Sequence, residues 1–234
     1  FDDVIIGAWK AAPNGIRSGS AYVVFGTDST SAIELSTLEA GGGGGFVLNG
    51  ADTYDNAGIS VSAAGDVNGD GIDDVIIGAS GAQPNFGGSG SAYVVFGTDS
   101  TSVIELSTIE EGGGGGFVMN GNTSDRFGSS VSGIGDLNGD GFDDLLVTAS
   151  GKNTFVGGFY IVFGTDSTSA IEMSDIDTGA TKTITTITGD SYVYSLNDLT
   201  LTGSSEINAT GDSADNTLRG NLAANTLDLS LIHI

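Results

Sequence analysis

The sequence contains an acidic run of nine residues twice, at residues 66–74 (DVNGDGIDD) and 136–144 (DLNGDGFDD). Oxygen-bearing side chains occupy the first, third, fifth and ninth positions of each run, and glycine occupies the sixth. Alternating oxygen ligands around a turn glycine, with the carbonyl of the seventh residue added, are the arrangement by which one loop binds calcium. The sequence therefore predicts two calcium sites, whose ligands are Asp66, Asn68, Asp70, Ile72 and Asp74 in the first loop and Asp136, Asn138, Asp140, Phe142 and Asp144 in the second.

The charge of each run favours a bound cation. Carboxylates held about 5 Å apart repel by about 3 kcal/mol per pair at an effective dielectric constant of 20, and a divalent ion reverses the sign of that energy. A solvated acidic turn is the alternative, and it is the usual explanation of a single Asp-Gly turn. Two matching runs of nine residues favour the metal.

The residues after each run are inconsistent with a helical calcium module. An EF-hand carries a bidentate Glu at the twelfth position, followed by a helix. Ile77 and Val147 occupy that position here, within the short apolar runs 75–77 and 145–147. Runs of this kind are typical of buried strands. Each acidic loop is therefore predicted to join two β-strands.

Composition agrees with a β-rich chain that binds cations. Forty of the 234 residues are glycine, and periodic helical segments are nearly absent. A formal charge of −24 argues against nucleic acid or an anionic membrane as partner. There is no cysteine, so calcium takes the place of disulfides as a stabilising link. No apolar run is long enough for a spanning helix, and we expect no membrane insertion.

A longer unit of about seventy residues repeats around the acidic loops. Residues 21–26 recur at 92–97 and 159–164, and residues 1–8 recur at 72–79 and 142–149. One unit is predicted to contain four strands, at residues 59–64, 75–77, 92–96 and 117–119. Four antiparallel strands per unit suit a propeller blade. We predict an all-β partial β-propeller of about three four-stranded blades, the first truncated, within residues 1–178, divided as 1–44, 45–115 and 116–178.

Within the predicted blades, aromatic residues on apolar strands are expected to be core rather than a ligand platform. They are Tyr22, Tyr93, Tyr160, Phe25, Phe96 and Phe163. The first unit lacks the early positions of the acidic loop, so we expect no complete metal site beside Asp3. We also expect Phe1 to be a cut end.

Three motifs of the unit resemble the FG-GAP repeat of the integrin alpha-subunit propeller and of many secreted bacterial proteins. They are Phe127-Gly128, the loop 136–144, and the Gly78-Ala79 pair that ends the strand after a loop. The resemblance covers about residues 1–178. It implies a closed seven-bladed propeller with calcium in blade hairpins on one face, of which this chain supplies an open fan with exposed edges.

The chain departs from that repeat at strand junctions. Ala57-Gly58 stands where the repeat has Phe-Gly, and Thr148-Ala149 replaces Gly-Ala. Neither Gly-Ala pair that follows a strand is continued by proline. None of these positions is a predicted calcium ligand.

Residues 179–234 differ in composition and form a second predicted segment, β-roll-like in fold. Residues 211–219 and 220–228 match at five of nine positions. A nine-residue period with one inward Leu per turn suits a parallel β-roll, and this segment resembles the start of an RTX calcium-binding nonapeptide array. Asn216 and Asn225 replace the usual Asp, so poor calcium binding is expected, and a polar strand region without metal is an equal alternative. Residues 229–234 do not continue the period.

The sequence has no recognisable catalytic motif. Gly-x-Ser-x-Gly, His-Glu-x-x-His and P-loop patterns are missing, and the single histidine is His233. Aspartate pairs alone could act as acid and base, but the metal loops already account for the acidic residues. We therefore predict a chain that is not an enzyme.

The loop after the second strand of each unit varies most between copies. It carries the residues that we predict to contact a ligand, namely Trp9, Lys10, Arg17, Phe86, Lys152 and Phe155. Hairpin geometry places this loop at the end opposite the calcium loops. Variable loops on a repeated scaffold are common recognition sites, although ordinary loop variation is the alternative.

These inferences predict a calcium-binding, non-enzymatic segment of an exported, bacterial surface or adhesion-type protein that presents loops to a protein or carbohydrate. An accessory segment of a secreted hydrolase, with its catalytic domain elsewhere, is the alternative.

Overall fold

The computed structural model describes residues 1–98, 100–137, 139–151 and 158–173, together with the backbone of five short strands between residues 193 and 228. Three sheets contain thirteen of the strands in this part of the chain, and each sheet is a blade. Blade one contains β1 (Val4–Ala8), β2 (Ser20–Val24), β3 (Gly45–Asn49) and β7 (Ile104–Glu105). Blade two contains β4 (Ser60–Gly65), β5 (Asp74–Ala79), β6 (Ser91–Val95), β8 (Gly116–Asn120) and β12 (Ile171–Glu172). Blade three contains β9 (Phe127–Gly135), β10 (Asp144–Ala149), β11 (Gly158–Val162) and β13 (Val193–Tyr194).

Apart from the two-residue strands β7 and β12, neighbouring strands within each blade pair antiparallel. In blade two, β4 pairs with β5, β5 with β6 and β6 with β8. The prediction of an all-β partial propeller with antiparallel blades is confirmed. The outer strand β3 pairs with β2 and the outer strand β8 pairs with β6, so residues 45–49 and 116–120 complete blades one and two.

The core lies between neighbouring blades. Val23 and Leu48 of blade one pack against Ile77 and Tyr93 of blade two. A second cluster joins Ile76, Val94 and Phe117 of blade two to Leu145, Val147 and Tyr160 of blade three. Strands that are apolar on both faces fit between packed layers. The predicted tyrosines are buried, with Tyr93 and Tyr160 at 0% exposure.

The long connections of blades one and two each contain a five-residue helix, α1 (Leu35–Glu39) and α2 (Leu106–Glu110). The connections that follow β6 in blade two and β11 in blade three reach back to the preceding blade. The short strand β7 pairs parallel with β3, and β12 pairs parallel with β8. The Glu105 carboxylate then accepts hydrogen bonds from the Nδ2 groups of Asn14 (2.6 Å) and Asn49 (3.0 Å). These contacts cover part of an outer sheet edge that would otherwise be exposed.

Two glycine pairs bring the inner parts of neighbouring blades together. A Cβ atom on Gly78 would lie 2.1 Å from the Gly128 carbonyl oxygen, and one on Gly7 would lie 2.2 Å from that of Gly58. Gly58 and Gly128 adopt φ of +82° and +77°, which side chains rarely allow. The same contact between neighbouring blades therefore requires both the glycine of the Gly-Ala motif and the glycine of the Phe-Gly motif, or of Ala57-Gly58 in its place.

The segment after residue 178 contains parallel strand pairs. β14 (Asp198–Thr200) pairs with β16 (Thr217–Arg219), and β15 (Ala209–Thr210) pairs with β17 (Leu227–Asp228). Paired residues are 19 and 18 positions apart, which is close to two of the predicted nine-residue periods. A β-roll of the predicted kind consists of parallel strands. Asn216 and Asn225, the residues expected to weaken calcium binding there, lie outside the described residues.

Both helices that the described residues form have five residues, and neither is long enough to cross a lipid bilayer.

Candidate metal centre

Both acidic loops connect the first two strands of a blade. Residues 66–73 join β4 to β5, and residues 136–143 join β9 to β10. The prediction that each loop lies between two strands is confirmed. Glycines at the fourth and sixth positions adopt left-handed conformations, with φ of +76° at Gly69 and +87° at Gly71 and similar values at Gly139 and Gly141. The turn glycine is therefore needed for backbone conformation.

The first aspartate organises the loop backbone around its carboxylate. Asp66 Oδ1 accepts hydrogen bonds from the amides of Gly69 (2.7 Å) and Asp70 (3.0 Å), and Oδ2 accepts one from Gly71 (2.9 Å). In the second loop, Asp136 accepts the matching three bonds, from Gly139 (2.6 Å), Asp140 (3.1 Å) and Gly141 (2.9 Å). Two loops of different sequence thus adopt one hydrogen-bonding pattern.

The fifth-position aspartate is exposed in both loops. Asp70 Oδ1 accepts a hydrogen bond from the Ile72 amide (2.8 Å), and its Oδ2 accepts one from Asn68 Nδ2 (2.9 Å). Asp140 Oδ1 accepts the equivalent bond from the Phe142 amide (2.9 Å). Asn138 lies outside the described residues. The Asn68 amide and the Asp70 carboxylate are thus adjacent oxygen donors on the solvent side of the loop.

The ninth-position aspartate is buried and links the loop to the third strand of its blade. Asp74 is 1% exposed, and its two oxygens accept hydrogen bonds from the amides of Val67 (2.9 Å) and Gly97 (2.7 Å). The two carboxylate oxygens of Asp144 likewise accept hydrogen bonds from the amides of Leu137 (2.7 Å) and Gly164 (3.0 Å). In blade one, Asp3 Oδ1 accepts the bond from Gly26 (2.8 Å). The sequence predicts the ninth-position aspartate only as a metal ligand, whereas the structure also gives it a packing role. The repeated Phe-Gly after the third strand was the available signal for that role.

Burial raises the pKa of Asp74 to about 6, even though its two amide hydrogen bonds act in the opposite direction. The negative charges of Asp70 and Asp66 raise it further. The carboxylates of Asp66 and Asp70 are therefore close enough to Asp74 for their negative charges to disfavour its ionised form. A bound cation would reverse this effect and favour the charged form.

The donor chemistry of the loops fits calcium. Every predicted ligand offers oxygen, which hard cations prefer, and the loop backbone is already ordered by the first aspartate. Within the described ranges, no three acidic side chains converge tightly enough to form a metal site. The hydrogen bonds explain this, because the carboxylates of Asp66 and Asp70 bond to amides of their own loop. The seventh-position carbonyls of Ile72 and Phe142 remain predicted ligands.

A residue that the sequence analysis did not single out joins the two loop regions. Asp143 Oδ2 accepts a hydrogen bond from the Asp66 amide (2.9 Å), and the Asp143 amide donates to the Asp66 carbonyl (2.9 Å). The Thr165 amide also donates to the Val67 carbonyl (2.7 Å). The first loop is therefore held by the neighbouring blade.

The predicted ligand loops lie at the opposite ends of the same strands. Lys10 Nζ is 4.6 Å and Arg17 Cζ 5.7 Å from the centre of the Trp9 ring, so the structure brings these three side chains together. Phe86 occupies the matching loop of blade two and is 81% exposed at a positive φ of 61°. Lys152 and Phe155 lie outside the described residues.

A buried carboxylate outside the metal loops was also missed. Asp55 follows blade one, is 6% exposed and accepts a hydrogen bond from the Asp52 amide (2.7 Å). Burial raises its pKa to about 6, and the charges of Glu110 and Asp52 add to this. The repeat carried the available signal, because Asp125 recurs seventy residues later, is 5% exposed and accepts the matching hydrogen bond from the Asn122 amide (3.3 Å).

Comparison with known proteins identifies the repeat. The FG-GAP repeat family matches residues 57–95 and 127–162, which begin at the glycine junctions described above and include both acidic loops. Two segments of the chain thus match the FG-GAP repeat. The matched residues supply β4 to β6 of blade two and β9 to β11 of blade three.

Three relatives illustrate the range of proteins that share this FG-GAP segment. Integrin alpha-4 of Xenopus laevis is 32% identical over 109 residues, covering 46% of this chain and 10% of the relative. Integrin alpha pat-2 of Caenorhabditis elegans is 36% identical over 118 residues, covering 50% of this chain and 9% of the relative. Phosphatidylinositol-glycan-specific phospholipase D of Mus musculus is 36% identical over 110 residues, covering 44% of this chain and 12% of the relative. The chain therefore spans about a tenth of these relatives' length.

Proposed function

We propose that this FG-GAP segment is a calcium-stabilised, non-enzymatic part of a larger exported protein, and that it presents loops to a protein or carbohydrate ligand. The observation that carries the proposal is the shared hydrogen-bonding pattern around Asp66 and Asp136. Three amides fix each first-position carboxylate, and the remaining oxygen donors lie on the same nine-residue loop. A loop that is ordered in this way needs little rearrangement to accept a hard cation.

Calcium would act here as a structural link. Asp66, Asn68, Asp70, the Ile72 carbonyl and Asp74 would hold it in the first loop, and the equivalent set from Asp136 to Asp144 would hold it in the second. The ion supplies positive charge that offsets the repulsion between loop carboxylates. Dissociation constants of about 10⁻⁴ to 10⁻³ M are typical of extracellular modules, and such weak sites are occupied only outside the cytosol.

Isothermal titration of calcium into the metal-free chain tests this proposal. We expect two ions per chain. A chain carrying Asp66→Asn and Asp70→Asn is expected to bind one, and adding Asp136→Asn and Asp140→Asn is expected to leave none. Retention of both sites in the fourfold variant would contradict the assignment of these residues.

The ligand-binding part of the proposal depends on the loops at the other end of the blades. Trp9 presents an amphipathic ring beside two cations, and Phe86 presents an exposed ring on the next blade. Aromatic faces with nearby polar groups suit both protein and sugar surfaces. Screening against glycans and candidate surface proteins, with Trp9→Ala, Phe86→Ala and Lys152→Ala, is expected to find a ligand whose binding falls at least about tenfold in these variants. The matched control is Ile33→Ala, an exposed apolar residue on a different segment; unchanged binding in all three loop variants would reject the loops as the binding site.

The similarity to phosphatidylinositol-glycan-specific phospholipase D supports a second candidate, an accessory segment of a secreted hydrolase. The two candidates differ in what the full-length source protein does. Hydrolytic activity in the full-length protein, and none in residues 1–234, would favour the accessory role. A full-length protein that binds ligand without turnover favours the first.

A further inference from the structure

The two acidic loops contact each other across the junction between blades two and three. Asp143 makes the first of these contacts, and it stands between Phe142 and Asp144, two predicted ligands of the second loop. Its carboxylate accepts a hydrogen bond from the Asp66 amide, and its own amide donates to the Asp66 carbonyl. Asp66 is the first predicted ligand of the first loop. One residue thus connects predicted ligands of both loops.

The side chain of Phe142 adds a packing contact between the loops. Its ring lies against Gly69, where an added Cβ atom would be 2.6 Å from Phe142 Cε1. Gly69 is the fourth residue of the first loop, and its amide donates to the Asp66 carboxylate (2.7 Å). The Phe142 carbonyl is a predicted ligand of the second loop. A backbone change at this ligand would therefore move a ring that packs on the other loop.

A second path between the loops runs through the residues that follow the third strand of blade three. The Gly164 amide donates to the buried Asp144 carboxylate (3.0 Å), and the next amide, that of Thr165, donates to the Val67 carbonyl (2.7 Å). The Val67 amide donates in turn to the Asp74 carboxylate (2.9 Å). This path therefore begins and ends at the ninth-position ligands of the two loops.

We propose that the two calcium sites are coupled, so that binding in either loop strengthens binding in the other. This inference rests on the calcium proposal above and adds the relation between its two sites. Calcium held by the Phe142 carbonyl and by Asp144 would restrict Asp143 and the Phe142 ring, which contact Asp66 and Gly69. A loop that is already ordered loses less conformational entropy when it binds its own ion, and this gives positive cooperativity.

Electrostatics alone predicts the opposite sign of coupling. An ion bound in one loop reduces the negative charge that attracts a second ion to the other loop. Salt screens this effect beyond a Debye length of roughly 8 Å at physiological ionic strength, whereas hydrogen bonds and packing act at contact. The sign of the coupling therefore distinguishes the two mechanisms.

A calcium titration of the full chain tests the coupling when each loop is observed separately. The amide NMR signals of Gly71 and Gly141, the sixth residues of the two loops, provide this observation. We expect both signals to change over the same calcium range with a Hill coefficient of about 1.5, the value for a tenfold coupling between two similar sites.

Disabling one loop is expected to weaken the other. With Asp136→Asn and Asp140→Asn, the Gly71 signal is expected to reach its midpoint at a calcium concentration at least about threefold higher, the square root of that coupling factor. With Asp66→Asn and Asp70→Asn, the Gly141 midpoint is expected to rise likewise, because coupling between binding free energies is reciprocal.

Two variants that keep every predicted ligand test the contact through which the loops are coupled. Asp143→Ala is expected to lower the Hill coefficient toward 1 while both loops still bind calcium. Asp73→Ala is the matched control, because it removes one charge at the same position of the first loop, where the side chain is exposed. It is expected to retain the cooperativity of the wild type.

Amide hydrogen exchange tests whether order passes from one loop to the other. In the chain that carries Asp66→Asn and Asp70→Asn, calcium binds only the second loop. Calcium is nevertheless expected to slow exchange at Gly69 and Gly71 of the first loop, and Asp143→Ala in the same chain is expected to reduce this effect.

Three results would overturn the coupling and leave the calcium proposal standing. They are a Hill coefficient at or below 1 in the wild type, an equal loss of cooperativity in Asp143→Ala and Asp73→Ala, and unchanged exchange at Gly69 and Gly71 when only the second loop binds. Failure of the wild type to bind calcium at all would instead overturn the calcium proposal, and the coupling with it.

Discussion

The carboxylate of Asp143 accepts a hydrogen bond from the amide of Asp66 in the neighbouring blade, and the Asp143 amide returns one to the Asp66 carbonyl, both at 2.9 Å. Asp66 is the first position of one acidic loop, and Asp143 is the eighth position of the other. The conformation of the first loop therefore depends on the blade that follows it. A metal bound in that loop would also stabilise the junction between the two blades.

Asp143→Ala is expected to lower the free energy of unfolding by about 1 to 2 kcal/mol, because it removes a charged acceptor from a partly buried amide. Asp73→Ala is the matched control. Asp73 holds the same loop position in blade two, but it is exposed. Chemical denaturation of both variants in chelator measures the difference. Equal losses would show that the contact between Asp143 and Asp66 contributes nothing specific.

The two roles within one loop can be separated by substituting its fifth and ninth positions. Asp74→Ala leaves the Gly97 amide without its acceptor and leaves the Val67 amide with only the Gly65 carbonyl (3.2 Å), so we expect a loss of about 2 to 3 kcal/mol even in chelator. Asp70→Ala affects an exposed side chain, so its metal-free stability is expected to change by well under about 1 kcal/mol. Its calcium affinity is expected to fall at least tenfold. Denaturation and calorimetric titration of both variants test this; a calcium affinity unchanged by Asp70→Ala would remove Asp70 from the ligand set.

Gly78→Ala tests the contact between the Gly-Ala and Phe-Gly motifs. The added Cβ atom would lie 2.1 Å from the Gly128 carbonyl oxygen, so the blades must separate, and we expect a loss of at least about 3 kcal/mol. Gly43→Ala is the control, since a Cβ atom there meets nothing within 4 Å. Its effect is expected to stay within about 0.5 kcal/mol. Thermal melting of both proteins is sufficient, and similar melting temperatures would contradict the packing described here.

Stability is expected to decrease as pH rises from about 4 to 7, in part through Asp55. Burial raises the pKa of Asp55 from 3.8 to about 6. The folded chain then holds a proton that the unfolded chain has released, so this contribution is complete below pH 3.8 and is lost as pH rises through about 6. Asp55→Asn is expected to reduce the difference in melting temperature between pH 5 and pH 7.5, and Asp28→Asn, which removes one negative charge at an exposed position, is measured beside it as the control. The comparison is made in chelator, because Asp74 titrates in the same range. An unchanged pH dependence in Asp55→Asn would show that Asp55 titrates normally.

Local spacing predicted the strands and the loops of this fold because both are encoded within a few residues. The apolar runs at 75–77 and 145–147 read directly as β5 and β10, and the glycine at the sixth loop position predicted a turn. What the sequence did not reveal depends on distant partners. The Gly97 amide that binds Asp74 lies 23 residues away, and Asp143 lies 77 residues from Asp66.

The unit boundaries illustrate the same limit. Residues 117–119 are predicted as an outer strand, but the repeat pattern cannot tell whether that strand ends one sheet or begins the next. Its pairing with β6 assigns it to blade two. The short strand β7 was missed altogether, because two residues carry no periodicity.

The most direct test of the account is a thermal melt of the chain with calcium and with chelator. Metal that binds only the folded state stabilises it by about 2.7 kcal/mol per site at one hundred times the dissociation constant. For a chain of this size, that corresponds to a rise in melting temperature of at least several degrees. Magnesium, which demands a tighter octahedral shell, is expected to give a smaller rise. We predict this increase in the wild type and its loss in the fourfold variant of Asp66, Asp70, Asp136 and Asp140; identical melting temperatures of the wild type in calcium and in chelator would contradict it.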